Sequence, residues 1–82
     1  NKAFAWTAAL KAVKENLKAP STAKFPFSYF GQDIKEIDYN VFVVKSYVDA
    51  ENSFGAKLRS NFAVKIKKTG ANTYTIESID IK

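Results

Sequence analysis

The sequence contains no cysteine, no histidine and no methionine. Without cysteine, a disulfide framework and any thiolate metal site are excluded. Without histidine, the chain lacks the commonest general base and the commonest metal ligand. Proline and glycine are scarce, at two and three residues. The glycines (Gly31, Gly55, Gly70) stand apart from one another, so no glycine-rich phosphate loop can form. No run of 18 apolar residues occurs, so no segment reads as a membrane-spanning helix. The chain opens at Asn1 with neither Met nor a signal-like apolar stretch, and reads as an excised domain or a mature product.

What is present describes a globular chain. Of 82 residues, 46% are hydrophobic, 26% charged and 15% aromatic, which separates it from disordered and fibrous sequences. The length fits one domain over residues 1–82. Seven Phe, four Tyr and one Trp supply a core without a metal or a staple, since each ring can bury about 150–250 Å². Thirteen Lys and Arg against eight Asp and Glu give a net charge of +5. Residues 1–41 carry six basic and four acidic side chains, and residues 42–82 carry seven and four. The excess is therefore spread along the chain rather than gathered in a tail. A mild positive charge favours polyanions and also serves plain solubility.

Residues 3–18 read as a helix, rich in Ala, Leu, Lys and Glu. Trp6, Leu10, Val13 and Leu17 share one face, with Ala3 and Ala9 beside it. Phe4 points away from that stripe, either exposed or against a segment upstream of this sequence. Pro20 stops the helix, and Ser21 or Thr22 caps one further turn over residues 21–24. Phe25 is expected to plug the junction of helix and sheet.

Period two follows. Residues 33–38 turn Ile34 and Ile37 inward. Residues 40–50 place Phe42, Val44, Val48 and Ala50 on one face, with Ser46 between them. Residues 51–55 carry turn chemistry. Residues 56–68 align Leu58, Phe62, Val64 and Ile66. A turn at 69–72 leads into a strand over 73–82, whose alternation slips between Ile76 and Ile79 and predicts a bulge at Glu77 or Ser78. The fold class is α+β: one N-terminal amphipathic helix packed on an antiparallel meander of three to four strands.

Two segments carry a resemblance. Leu17-Lys18-Ala19-Pro20-Ser21-Thr22-Ala23-Lys24-Phe25 follows an alanine-rich helix, and a later strand runs into Val48-Asp49-Ala50-Glu51-Asn52-Ser53-Phe54-Gly55-Ala56. In that order the chain resembles a widespread small helix-plus-sheet domain of bacterial secreted proteins, lipoproteins and membrane-tethered proteins, over residues 6–68. The lysine-rich, cysteine-free form is similar to Gram-positive versions, and some relatives are borne by phages or mobile elements. The resemblance implies an extracytoplasmic location, with any anchor in a segment upstream of this sequence. It attaches no catalytic residue, so none is carried over. Members often have a Cys before the second motif. Ser46-Tyr47 stands here instead, and no redox role is supported.

The chemistry expected is binding rather than catalysis. Six serines lack a histidine to activate them, and Lys45 beside Ser46 points to the opposite strand face. Asp49 and Glu51 share a face but lack the six to eight oxygens a calcium ion needs. No cofactor is expected. The outward faces of the two long strands bring Lys45, Tyr47, Arg59, Lys65 and Lys67 together, either a solvated face whose lysines guard the sheet against aggregation or a basic and aromatic surface suited to an envelope protein or an anionic wall polymer. Nucleic acid is the weaker partner, because no Gly-Phe-x-Phe run accompanies the surface. The turn at Asn52–Gly55 is a second contact region. There Phe54 either folds over the core edge or stands out as an aromatic anchor. The reading is a non-enzymatic interaction module. Its alternatives are a phage- or mobile-element-encoded surface domain, an intracellular nucleic-acid-binding domain and an enzyme inhibitor.

Overall fold

The computed structural model describes residues 2–82. Helix α1 spans Lys2–Glu15 and lies on one face of a four-stranded antiparallel sheet, β1 Asp33–Asp38, β2 Val41–Glu51, β3 Lys57–Lys68 and β4 Tyr74–Ile81. The strands follow one another in the order β1-β2-β3-β4, a meander.

The helix ends three residues before the expected Lys18. The Asn16 side-chain amide donates to the Ala12 carbonyl at 2.8 Å, while its backbone amide turns to the Val13 carbonyl at 2.9 Å. Asn16 thus takes with its side chain the acceptor that its backbone would use in a continuing helix. The further turn is a short 3₁₀ segment over Pro20–Thr22 rather than 21–24. Its Thr22 hydroxyl donates back to the Ala19 carbonyl at 2.7 Å.

The buried helical face is made of alanine. Ala5, Ala8, Ala9 and Ala12 are buried together with Trp6 and Val13, whereas Leu10 and Leu17 are half-buried at its margin. Small side chains let the helix axis approach the sheet closely, and the sheet supplies the bulk: Ile34, Phe42, Val44, Val48, Phe62, Val64 and Ile66. Each large aliphatic group so buried contributes about 1.5–3 kcal/mol. Phe25 packs edge-on against Phe62 with centroids 6.2 Å apart, closing the helix–sheet junction as its position implied.

Three apolar residues sit elsewhere than expected. Glu36 pairs with Phe42 and Asp38 with Val41, so Ile37 is the extra residue of a β-bulge and is exposed. Leu58 lies on the inner face of β3 but beyond the helix, and is 55% exposed. Phe4, which pointed away from the apolar stripe, packs edge-on against Tyr74 at 5.8 Å under the Lys68 ammonium. The slip in β4 falls where the alternation placed it. Lys65 pairs with Ser78 and Ile66 with Ile76, leaving Glu77 as the bulged residue. The bulge turns Tyr74, Ile76, Ile79 and Ile81 all toward the helix side, where they pack against the core.

Candidate functional site

The sheet face away from the helix is the surface the strand pattern singled out. Cross-strand register fixes its layout. Lys45 stands opposite Ala63, which stands opposite Asp80. In the next row Tyr47 faces Asn61, and Asn61 exchanges both backbone bonds with Lys82 at 2.8 and 3.3 Å. Ala63 is the small residue between these longer side chains, and above it opens a shallow depression of about 420 Å³ lined by Lys45, Tyr47, Asn61, Ala63, Asp80 and Lys82 among others.

Lys45 and Tyr47 therefore meet in one place, as their alternation indicated. Asn61, Ala63, Asp80 and Lys82 join them only through register. The slip in β4 marked the bulge at Glu77 but not the β3 residues beside it, so the register was not readable from β4 alone.

The other predicted residues are differently placed. Arg59 lies over the Tyr47 ring, its guanidinium carbon 4.0 Å from the centroid. It also holds Asp49 through two hydrogen bonds, Nε to Oδ1 at 2.8 Å and Nη2 to Oδ2 at 2.9 Å. The guanidinium hydrogen bond lowers the Asp49 pKa, and the same bond raises that of Arg59. Lys65 lies 3.8 Å from the bulged Glu77. Lys67 faces Val41, two rows of the ladder from the row that holds Lys45, and lies outside the depression.

Charge on this face is a mosaic. Pairing puts Lys24, Lys35, Lys45, Lys57, Arg59, Lys65, Lys67 and Lys82 there, eight cations, with six carboxylates, Asp33, Asp38, Asp49, Glu51, Glu77 and Asp80. The remaining cations are on the helix side, where Lys11, Lys14 and Lys18 are exposed. Within the depression the Lys82 ammonium lies 3.7 Å from Asp80, so an anionic group is favoured locally, at Lys45, rather than across the whole sheet.

The hairpin tip is hydrogen-bonded within itself and presents its aromatic ring outward. The Asn52 side-chain oxygen accepts from the amides of Phe54 (2.9 Å) and Ala56 (3.1 Å), and Gly55 adopts φ +81°. That left-handed backbone suits glycine. Phe54 does not fold over the core and is 93% exposed.

The serine and carboxylate possibilities find other partners. The Ser46 hydroxyl is hydrogen-bonded to the Gln32 side-chain oxygen, not to a lysine. Asp49 is engaged by Arg59, and Glu51 stands across from Lys57. Among the described residues, no group of three or more carboxylates is placed to hold a metal ion, and no helix is long and apolar enough to cross a membrane.

Compared with protein-family models, with curated proteins and with solved structures, the chain has no match.

Proposed function

We propose that the chain is a non-enzymatic interaction module of a bacterial envelope or secreted protein, binding an acidic protein or anionic wall polymer through the outer sheet face. The observation that carries this reading is the Ala63 depression, which gathers Lys45, a tyrosine, an asparagine amide and the Lys82–Asp80 ion pair around an apolar floor. Lysine ammonium groups and the Asn61 amide donate to carboxylate or phosphate oxygens, and the Ala63 floor accepts the carbon skeleton between them. The extracytoplasmic setting is supported by the resemblance of residues 17–25 and 48–56. A binding role rather than a catalytic one is supported by a sequence without histidine or cysteine.

A salt titration against wall teichoic acid, single-stranded DNA and polyphosphate tests the reading. Binding to one polymer that persists above about 150 mM salt, and that fails in Lys45→Glu, is the expected result. The Lys65→Glu/Lys67→Glu double variant, altered outside the depression, should lose less. Weak binding to all three polymers, lost alike as salt rises, would reduce the charge to background and overturn the polymer reading.

A further inference from the structure

The groups around the Ala63 depression ask for more than an anion. Among the described residues Lys45 makes no ion pair; Asp33 stands across from it on β1, outside the depression. Asp80 and Lys82 hold each other at 3.7 Å. Two ammonium groups against one carboxylate leave a single positive charge in the depression, enough for one anionic group and not for a dense run of them. The Asp80 carboxylate repels a second anion, yet it accepts hydrogen bonds from a neutral donor. Asn61 offers an amide that both donates and accepts.

The aromatic wall is propped from behind. Tyr47 stands between the row of Asp49 and Arg59 and the row of Lys45 and Ala63. Arg59 lies over its ring, 4.0 Å from the centroid, and is itself held by Asp49 through two hydrogen bonds. On the Ala63 side the ring borders the depression. An aromatic ring carries a negative face, which attracts the weakly positive C–H bonds of a saturated ring. Ala63 keeps the floor low and apolar beneath it. The volume, about 420 Å³, lies within the range of small-ligand clefts, about 300–1,000 Å³.

We propose, on the footing that this depression binds a ligand, that the ligand is an acidic sugar unit of a glycan chain, a pyranose ring carrying one carboxylate. The ring lies against Tyr47 and over Ala63. Its carboxylate accepts from the Lys45 ammonium, one hydroxyl donates to Asp80, and another meets the Asn61 amide. A plain phosphate chain satisfies Lys45 alone: it brings no donor for Asp80, no ring for Tyr47, and a further negative charge beside a carboxylate. Because the depression is shallow and lies on a sheet face, neighbouring units of the glycan run on across the surface without having to enter a closed cavity.

The probes are two acidic glycans of different ring stereochemistry, tetragalacturonate and a hyaluronan tetrasaccharide, beside polyphosphate and acrylate oligomers of matched charge. The acrylates carry carboxylates but neither ring nor hydroxyl. Each is titrated into the full chain at about 150 mM salt and followed by NMR. At least one glycan should bind more tightly than acrylate, by about fivefold, with shifts at Lys45, Tyr47, Asn61 and Ala63. Nuclear Overhauser contacts should join the Tyr47 ring to sugar C–H protons. Asp80→Ala should lower the preference for glycan over acrylate by about fivefold, since acrylate gains from the lost repulsion while the glycan also loses an acceptor. Asp80 is exposed, so this variant should keep the parent's thermal midpoint. Equal binding of glycan and acrylate at these residues, or an unchanged preference in Asp80→Ala, would overturn the sugar assignment and leave the depression a plain anion site. Shifts confined to residues outside the depression, or no binding of any probe, would overturn the sugar assignment together with the reading of the depression.

Discussion

Asp49 and Arg59 face one another across the β2–β3 ladder and join through two parallel hydrogen bonds, with the Arg59 guanidinium lying on the Tyr47 ring. The pair ties the outward part of the hairpin to the middle of the sheet. Because the bond lowers the Asp49 pKa, its stabilisation is complete above the ordinary aspartate value of about 3.9. It is lost as pH falls through the lower value held in the fold. Arg59→Ala should therefore lower the thermal midpoint near neutral pH, and the gap from the parent should narrow in acid. The part that persists in acid reports the stacking on Tyr47. A gap independent of pH would mean that the carboxylate contributes nothing.

Ile66 and Leu58 lie on the same face of one strand, yet only the first is under the helix. Ile66 is fully buried and Leu58 more than half exposed. Ile66→Ala should cost about 2–5 kcal/mol by chemical denaturation, a large share of the roughly 4–12 kcal/mol that a chain of this length holds. Leu58→Ala should stay within about 0.5 kcal/mol. A comparable loss in both would place Leu58 in the core.

Ala9 is fully buried where the helix meets the sheet. Its small size is the condition for that approach, so a larger apolar group should harm rather than help. Ala9→Leu is expected to destabilise by about 1–3 kcal/mol through overpacking. A rise in the denaturation midpoint would show that space remains between helix and sheet.

The hairpin tip separates architecture from display. Asn52→Ala removes the acceptor for two amides and should cost about 1 kcal/mol. Gly55→Ala forces a side chain into a left-handed backbone, at about 1–2 kcal/mol; the space around a new Cβ there is open, so strain is the whole effect. Phe54→Ser should leave the thermal midpoint nearly unchanged, since the ring is solvated. A large drop for Phe54→Ser would assign the ring to the core.

The strands were readable because a half-buried sheet alternates. The inward sets Phe42, Val44, Val48 and Phe62, Val64, Ile66 follow directly from period two, and the interrupted alternation of β4 marked its bulge. The helix was readable as an element but not at its face or its end. Alanine carries little weight in an apolar pattern, so Leu10 and Leu17 outweighed Ala5, Ala8 and Ala12, which the structure buries. The stop at Glu15 comes from one competing side-chain bond at Asn16, which leaves no trace in periodicity.

The candidate site divides the same way. Local alternation determined that Lys45, Tyr47, Arg59, Lys65 and Lys67 share the outer face, because neighbouring strand residues must point to opposite sides. Only the tertiary structure decided which of them act together. Register and one bulge set Ala63 beside Asp80 and Lys82 next to Asn61, and Arg59 is drawn to Asp49 and Tyr47. Those relations depend on which residues of neighbouring strands stand opposite one another, a long-range property that no single stretch of sequence encodes.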